Sequence, residues 1–98
     1  MTVRYTARAR SDLQDIFDYI SNDNPEAAQR VRHAIFDAIQ LIAARPSIGI
    51  RNAKDADMRS KLVLRYPYRV HYLVEDGDIW VVHIRHAARR PRESERRS

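Results

Sequence analysis

Apolar positions along this chain recur first at a helical period and then at a strand period. Residues 2–5, rich in β-branched and aromatic side chains, predict a short opening strand. Ala9, Leu13, Ile16, Phe17 and Ile20 then fall on one helical stripe. Thr6 is placed to cap that helix, and Asp12, Asp15 and Asp18 lie on its opposite, solvent-facing side. Ser21-Asn22-Asp23-Asn24 breaks it. Asn24 suits the N-cap of a second helix, Pro25 its first position and Glu26 the positive end of its dipole. Ala28, Val31, Ile35, Ala38 and Ile42 form the second stripe, and Arg45-Pro46 ends it, because proline cannot continue a helix. A link this short makes the two helices an antiparallel hairpin.

Residues 46–57 read as a loop, and the period then changes to two. Met58, Ser60, Leu62 and Leu64 alternate with Arg59, Lys61, Val63 and Arg65. Tyr66-Pro67 makes a bend. Tyr68, Val70, Tyr72 and Val74 alternate with Arg69, His71 and Leu73, and Asp76-Gly77 is a strong hairpin signal. Ile79, Val81 and His83 alternate with Trp80, Val82, Ile84 and His86. The expected order is strand, two helices, three strands, in a single domain over residues 1–91 with a basic polar tail at 92–98.

A two-residue turn pairs Val74 with Ile79 and Leu73 with Trp80. Val70, Tyr72, Val74, Ile79 and Val81 then form the core-facing side. The reverse side carries Leu73, Trp80, Val82 and Ile84, with Arg69, His71 and His86 as a basic rim. One helical hairpin covers one face only, so the reverse face calls for a cover. Either the loop at 46–57 or the tail folds over it, or a partner does. The polarity of the loop and the charge of the tail favour a partner, since a large apolar patch on a surface marks an interaction site.

Composition narrows the picture further. The 98 residues fit one domain, and 44% of them are apolar, enough for a globular core. There is no cysteine, which excludes disulfides, a cysteine nucleophile and thiolate metal sites. Arg4, Arg8 and Arg10 interrupt the only place for an apolar signal segment, and no apolar run approaches the roughly 20 residues of a membrane span. The expectation is a soluble protein of the cytoplasm. The net charge of +5 is uneven: residues 12–26 are acidic, residues 59–72 are basic, and the chain from Arg85 onward is rich in arginine. Such a field attracts a polyanion or an acidic protein, or is a solvated basic surface and no more.

Candidate chemistry is sparse. His71, His83 and His86 sit on strands with no carboxylate spaced to join them, His71 and His83 are expected on opposite faces, and no metal or cofactor is expected. No Gly-rich phosphate loop or serine elbow is present. One constellation remains. Arg69, with Lys61 and Arg65 on the preceding strand and His86 and Arg89 past the last, can line a groove. There, cations would stabilise charge on a scissile phosphate while a histidine moves a proton, as in a metal-independent ribonuclease. The same groove can instead receive acidic residues of a partner. Residue types alone do not separate the two.

The pattern as a whole resembles the RelE/ParE family of type II toxin–antitoxin toxins. Tyr5-Thr6 followed by Ala9, Asp12-Leu13 and Ile16 is similar to the family's opening. Ala43-Ala44-Arg45-Pro46-Ser47-Ile48-Gly49 resembles its helix exit, and Tyr66-Pro67-Tyr68-Arg69-Val70-His71-Tyr72 its central strand. The stretch from Ile79 to Arg89 resembles its last strand and the exit from it. The resemblance implies an α+β fold of order β-α-α-β-β-β, an antiparallel sheet with a helical hairpin on one face. It also implies a cognate antitoxin that covers the exposed face. RelE-like members cut messenger RNA on the ribosome with basic side chains, for which Arg69, Arg89, Lys61 and His86 are the matching candidates. Such members commonly carry a tyrosine near the C-terminus, whereas this chain has none after Arg85 and Ala87 follows His86. ParE-like members match better, with the Tyr-Arg-Val strand and the His-small-small-Arg exit. They poison DNA gyrase by binding, which implies Arg85, Arg89, Arg90 and Arg92 as contacts to gyrase or gyrase-bound DNA. A toxin homologue that only binds its antitoxin is the third possibility.

Overall fold

The computed structural model describes residues 2–87. Its elements are β1 (Val3–Tyr5), α1 (Ala7–Asp23), α2 (Pro25–Ala44), β2 (Ile50–Arg51), β3 (Met58–Leu62), β4 (Tyr68–Glu75) and β5 (Asp78–His86). The five strands form one sheet in the order β1-β5-β4-β3-β2. Adjacent strands run antiparallel except β1, which lies parallel to β5. The sheet is therefore mixed, and its first strand closes against its last. β2 is an addition to the expected order. Its two residues, inside what reads as a loop, pair with Arg59 and Ser60.

The helices begin where their caps place them. The Thr6 hydroxyl accepts from the Ala9 amide, and Asn24 Oδ1 accepts from the Ala27 amide. Asn24 is also the C-cap of α1, donating its own amide to the Ile20 carbonyl. One residue thus ends one helix and starts the next. Val31, Ile35, Ala38, Ile39 and Ile42 of α2 share the buried core with Val70, Tyr72, Ile79 and Val81 of the sheet and with Val63, just past β3, and Ala28 of α2 is buried as well. Each buried Val or Ile contributes roughly 1.5–3 kcal/mol. Ala9 of α1 is fully buried, and Leu13, Ile16 and Ile20 pack at the margin of the same core. Val74, expected in that core, lies near the hairpin turn and stays 42% exposed.

The hairpin pairs as its Asp76-Gly77 turn dictates, with Val74 opposite Ile79 and Leu73 opposite Trp80. Asp76 and Gly77 both hold positive φ, 53° and 79°, as a two-residue turn with this twist requires. Further along, the register shifts between His71 and Tyr72. Tyr72 faces Val81 and His71 faces His83, which leaves Val82 as the extra residue of a β-bulge. This reverses the expected facing for the rest of β5. Ile84, expected on the reverse side, lies opposite Val70 and is buried in the core at 3% exposure. Residues of α1 and its cap hold the bulge. The Thr6 amide and hydroxyl donate to the carbonyls of Val81 and Val82. Asp12 Oδ2 accepts from the Ile84 amide at 2.9 Å, so Asp12 is part of the packing and not a solvent-facing acid.

A candidate interaction face

Both helices pack on one side of the sheet, so among the described residues no element covers the other. Three cross-strand rows build that outer face. Met58, Leu73, Trp80 and Arg4 are successive register partners across β3, β4, β5 and β1. Ile50, Ser60, His71 and His83 form the second row, and Leu62, Arg69 and Arg85 the third. The first row is apolar and closed at one end by a cation: Arg4 donates to Asp78 at 2.7 Å and stands 6.0 Å from the Trp80 ring centre. The third is basic. Arg69 and Arg85 face each other directly, an arrangement that repels unless an anion sits between or beside them. Arg69 is fixed by donating to the Ser60 hydroxyl at 2.9 Å.

The middle row holds a histidine pair. The rings of His71 and His83 stack with centres 4.4 Å apart and planes 4° from parallel. They were expected on opposite faces; the bulge brings them together. Burial, with the His83, Arg85 and Arg69 charges adding to it, lowers the His71 pKa to about 4. Burial, then Arg8 and Arg85, lowers that of His83 to about 4 as well. Both rings are therefore neutral near pH 7, and the charge of this face is carried by its arginines.

The expected catalytic constellation does not assemble around Arg69. Lys61 pairs with Val70, points to the helix side and donates to the Leu62 carbonyl. His86 pairs with Tyr68 and meets its ring edge-on at 5.3 Å between centres. Together with Asp12, Asp15 and Tyr19 these two line a cleft of about 350 Å³ against α1, on the side opposite Arg69. His86 thus leaves the basic rim expected of it, again through the one-residue shift of the bulge. Arg65 ends β3's extension at a turn, with φ of 74°. Arg89, Arg90 and Arg92 lie outside the described residues.

Of the residues expected to meet a partner, Leu73, Trp80, Arg69 and His71 share the outer face. Val82 is half-buried at the bulge, and Ile84 is withdrawn into the core. Met58, Ser60, Ile50, Arg4 and His83 join the face without having been singled out. Met58 and Ser60 were legible in the alternation of β3 once its register against β4 is fixed. His83 was not, because its position depends on the bulge. Among the described residues, no group of three or more histidine or acidic side chains is placed to hold a metal, and no helix is long and apolar enough to cross a membrane.

This geometry has relatives. The family model for the ParE toxin of type II toxin–antitoxin systems, parDE, matches residues 3–91. The curated protein Toxin RelE2 of Caulobacter vibrioides is 41% identical over 87 residues, covering 89% of this chain and 96% of that protein. Among solved structures, a chain of the chromosomal ParDE system from P. aeruginosa superposes with a TM-score of 0.74 at 24% identity, covering 88% of this chain and 95% of that one. That likeness bears on the fold alone. The matched span takes in every described strand and both helices, and the chain belongs to the ParE family of toxins from type II toxin–antitoxin systems.

Proposed function

We propose that this toxin acts as ParE-like proteins do, arresting growth in the cytoplasm by binding DNA gyrase, and that its cognate antitoxin silences it by covering the outer sheet face. The observation that carries this reading is the separation of Arg69 from His86 and Lys61 by the thickness of the sheet. A phosphodiester cleavage needs its cations and its proton carrier around one phosphate. The histidines that do accompany Arg69, His71 and His83, are neutral near pH 7 with pKa values of about 4, far from the best value for a general acid there. What stays together is a surface suited to binding: an apolar row through Trp80 and Leu73, and a basic row through Arg69 and Arg85. Arg85, with Arg89, Arg90 and Arg92 in the following segment, supplies charge toward gyrase or its DNA.

The second reading is a ribosome-dependent ribonuclease of the RelE type. The name of the relative from Caulobacter vibrioides favours it, as does the presence of Arg69, Arg85 and two histidines on one face. Purified gyrase with plasmid, and ribosomes with message, assayed side by side with the toxin, test the choice. Cleaved plasmid with whole message, unaffected by Arg69→Ala in the message assay, supports gyrase poisoning. Cut message that disappears with Arg69→Ala overturns it. Inertness in both assays leaves only antitoxin binding.

A further inference from the structure

The cleft between α1 and the end of β5 differs in charge from most of the molecule. The chain carries a net charge of +5, yet this cleft of about 350 Å³ is acidic. Asp12 and Asp15 stand one helical turn apart on α1, and Tyr19 follows one turn later on the same side. Ile16, Tyr68 and His86 line the rest. Asp12 uses one oxygen on the Ile84 amide. Among the described residues the only salt bridge joins Arg4 to Asp78, so neither carboxylate has a cation of its own there. Tyr19 leaves 74% of its surface in solvent. His86 Nδ1 is out of reach of solvent and has no hydrogen-bond partner among the described residues. Buried polar atoms are nearly always paired, so a hydrogen bond is still to be made beside the cleft.

Two carboxylates beside aromatic rings select a particular visitor. An arginine suits both, because its guanidinium pairs with a carboxylate through two N–H groups and lies flat on a ring. A phosphate or an acidic peptide is repelled by Asp12 and Asp15, and an uncharged apolar segment leaves them unpaired. Suitable arginines lie next along the chain itself. The Ala87 amide donates to the Pro67 carbonyl, which ties the end of β5 beside Tyr68. From His86 in the cleft wall the sequence continues Ala87-Ala88-Arg89-Arg90-Pro91-Arg92, and from Ala88 to Ser98 five arginines stand against two glutamates. Arg89 is three positions past His86, at most about 11 Å of chain. So short a tether gives a local concentration on the order of millimolar.

We propose that the α1–β5 cleft anchors this chain's own arginine-rich C-terminal segment, with one arginine of the Arg89-Arg90 pair held by Asp12, Asp15 and the tyrosine rings. Adjacent side chains of an extended segment point to opposite sides, so the other arginine of the pair faces outward. The anchored segment starts on the helix side of the sheet and leaves the outer face open to the antitoxin. The anchor is independent of which target the toxin attacks.

The chain has no cysteine, so Ser94→Cys puts a single nitroxide label in the segment. The labelled toxin, purified with its antitoxin, is followed by amide NMR. The label is expected to broaden the α1 signals around Asp15 and Tyr19 and to spare those of Leu73 and Trp80. High salt weakens the broadening. Asp15→Lys changes an exposed side chain, so the fold persists, checked by circular dichroism, and the broadening is expected to fall several-fold. Arg89→Glu and Arg90→Glu added to Asp15→Lys are expected to restore it. Broadening around Trp80 in place of α1 overturns the proposal and puts the segment on the outer face. Broadening of α1 that Asp15→Lys leaves unchanged overturns the cleft as the anchor, and no broadening at all overturns the anchoring itself. Broadening seen only between labelled and unlabelled copies in a mixed sample means that a neighbour's segment fills the cleft, and overturns the proposal.

Discussion

The buried hydroxyl of Tyr72 accepts a hydrogen bond from the Gly49 amide at 2.9 Å while it donates to the Pro46 carbonyl at 2.7 Å. A strand in the middle of the sheet thereby holds the turn that follows α2, and Gly49 is where the two meet most closely. A Cβ on residue 49 would stand 2.6 Å from the Tyr72 hydroxyl oxygen and 2.8 Å from the Ser60 carbonyl. Tyr72→Phe leaves a buried amide and a carbonyl without their partner, at a cost of about 1–3 kcal/mol. Gly49→Ala is expected to lose at least as much, because neither the strand backbone nor the buried ring can give way. Urea unfolding of both variants measures this. Wild-type midpoints would show that the turn is held by other contacts.

Asp12 offers a cleaner polar test. Its carboxylate satisfies the Ile84 amide beside the bulge. Asp12→Ala is expected to destabilise the fold by about 1–3 kcal/mol, and Asp12→Asn by less, since the amide oxygen can still accept. Hydrogen exchange at the Ile84 amide reports it directly. Protection there should fall in the alanine variant ahead of its neighbours in β5.

Asn24 caps two helices at once, through its side chain to Ala27 and its amide to Ile20. Asn24→Ala removes only the side-chain half and is expected to cost about 1 kcal/mol. Asn24→Pro also removes the amide and should cost clearly more. Equal melting temperatures for the two variants would contradict the double role.

The stacked histidines make stability depend on pH in a defined direction. Each folded-state pKa lies at about 4, below the ordinary 6.5. Between those values the unfolded chain binds protons that the folded chain refuses. Stability is therefore complete above about pH 6.5 and declines as the pH falls toward 4. Asp78, whose pKa is lowered mainly by the hydrogen bond from Arg4, begins to lose its contribution only below its ordinary 3.8, outside that window. Melting temperatures across the range should fall for the wild type and stay flatter for a variant with both His71 and His83 replaced by Asn. A parallel decline in both proteins would assign the effect to other groups.

Local signals in the chain were legible because their causes are local. Thr6 and Asn24-Pro25 announce helix starts through groups that bond within the first turn. The α2 stripe announces its buried face through a period of 3.6. Asp76-Gly77 fixes both the turn and the first pairs beyond it. The same reasoning failed at Val82. An inserted residue changes the phase of a strand without changing its composition, so strict alternation turned Ile84 outward, His86 onto the basic rim, and His71 away from His83. The stabilising partners of the bulge, Thr6 and Asp12, sit more than 70 positions away in sequence. β2 escaped for a different reason, since two residues carry no period. The parallel pairing of β1 with β5 joins the two ends of the described chain, a relationship that no local pattern carries.

That pairing has a consequence for how the toxin comes into being. Val3 is matched with Ile79 and Tyr5 with Val81, so the first strand made has no neighbour until the last is synthesised. The core closes in the same event, because Ile79, Val81 and Ile84 of the last strand are among its most buried residues. The helical hairpin and the β3–β4 pair can form early from local contacts, but β1 stays unpaired until β5 follows. A half-made chain therefore presents neither the finished outer face nor the finished core. A chain that ends before this strand leaves β1 without its partner and the core without Ile79, Val81 and Ile84.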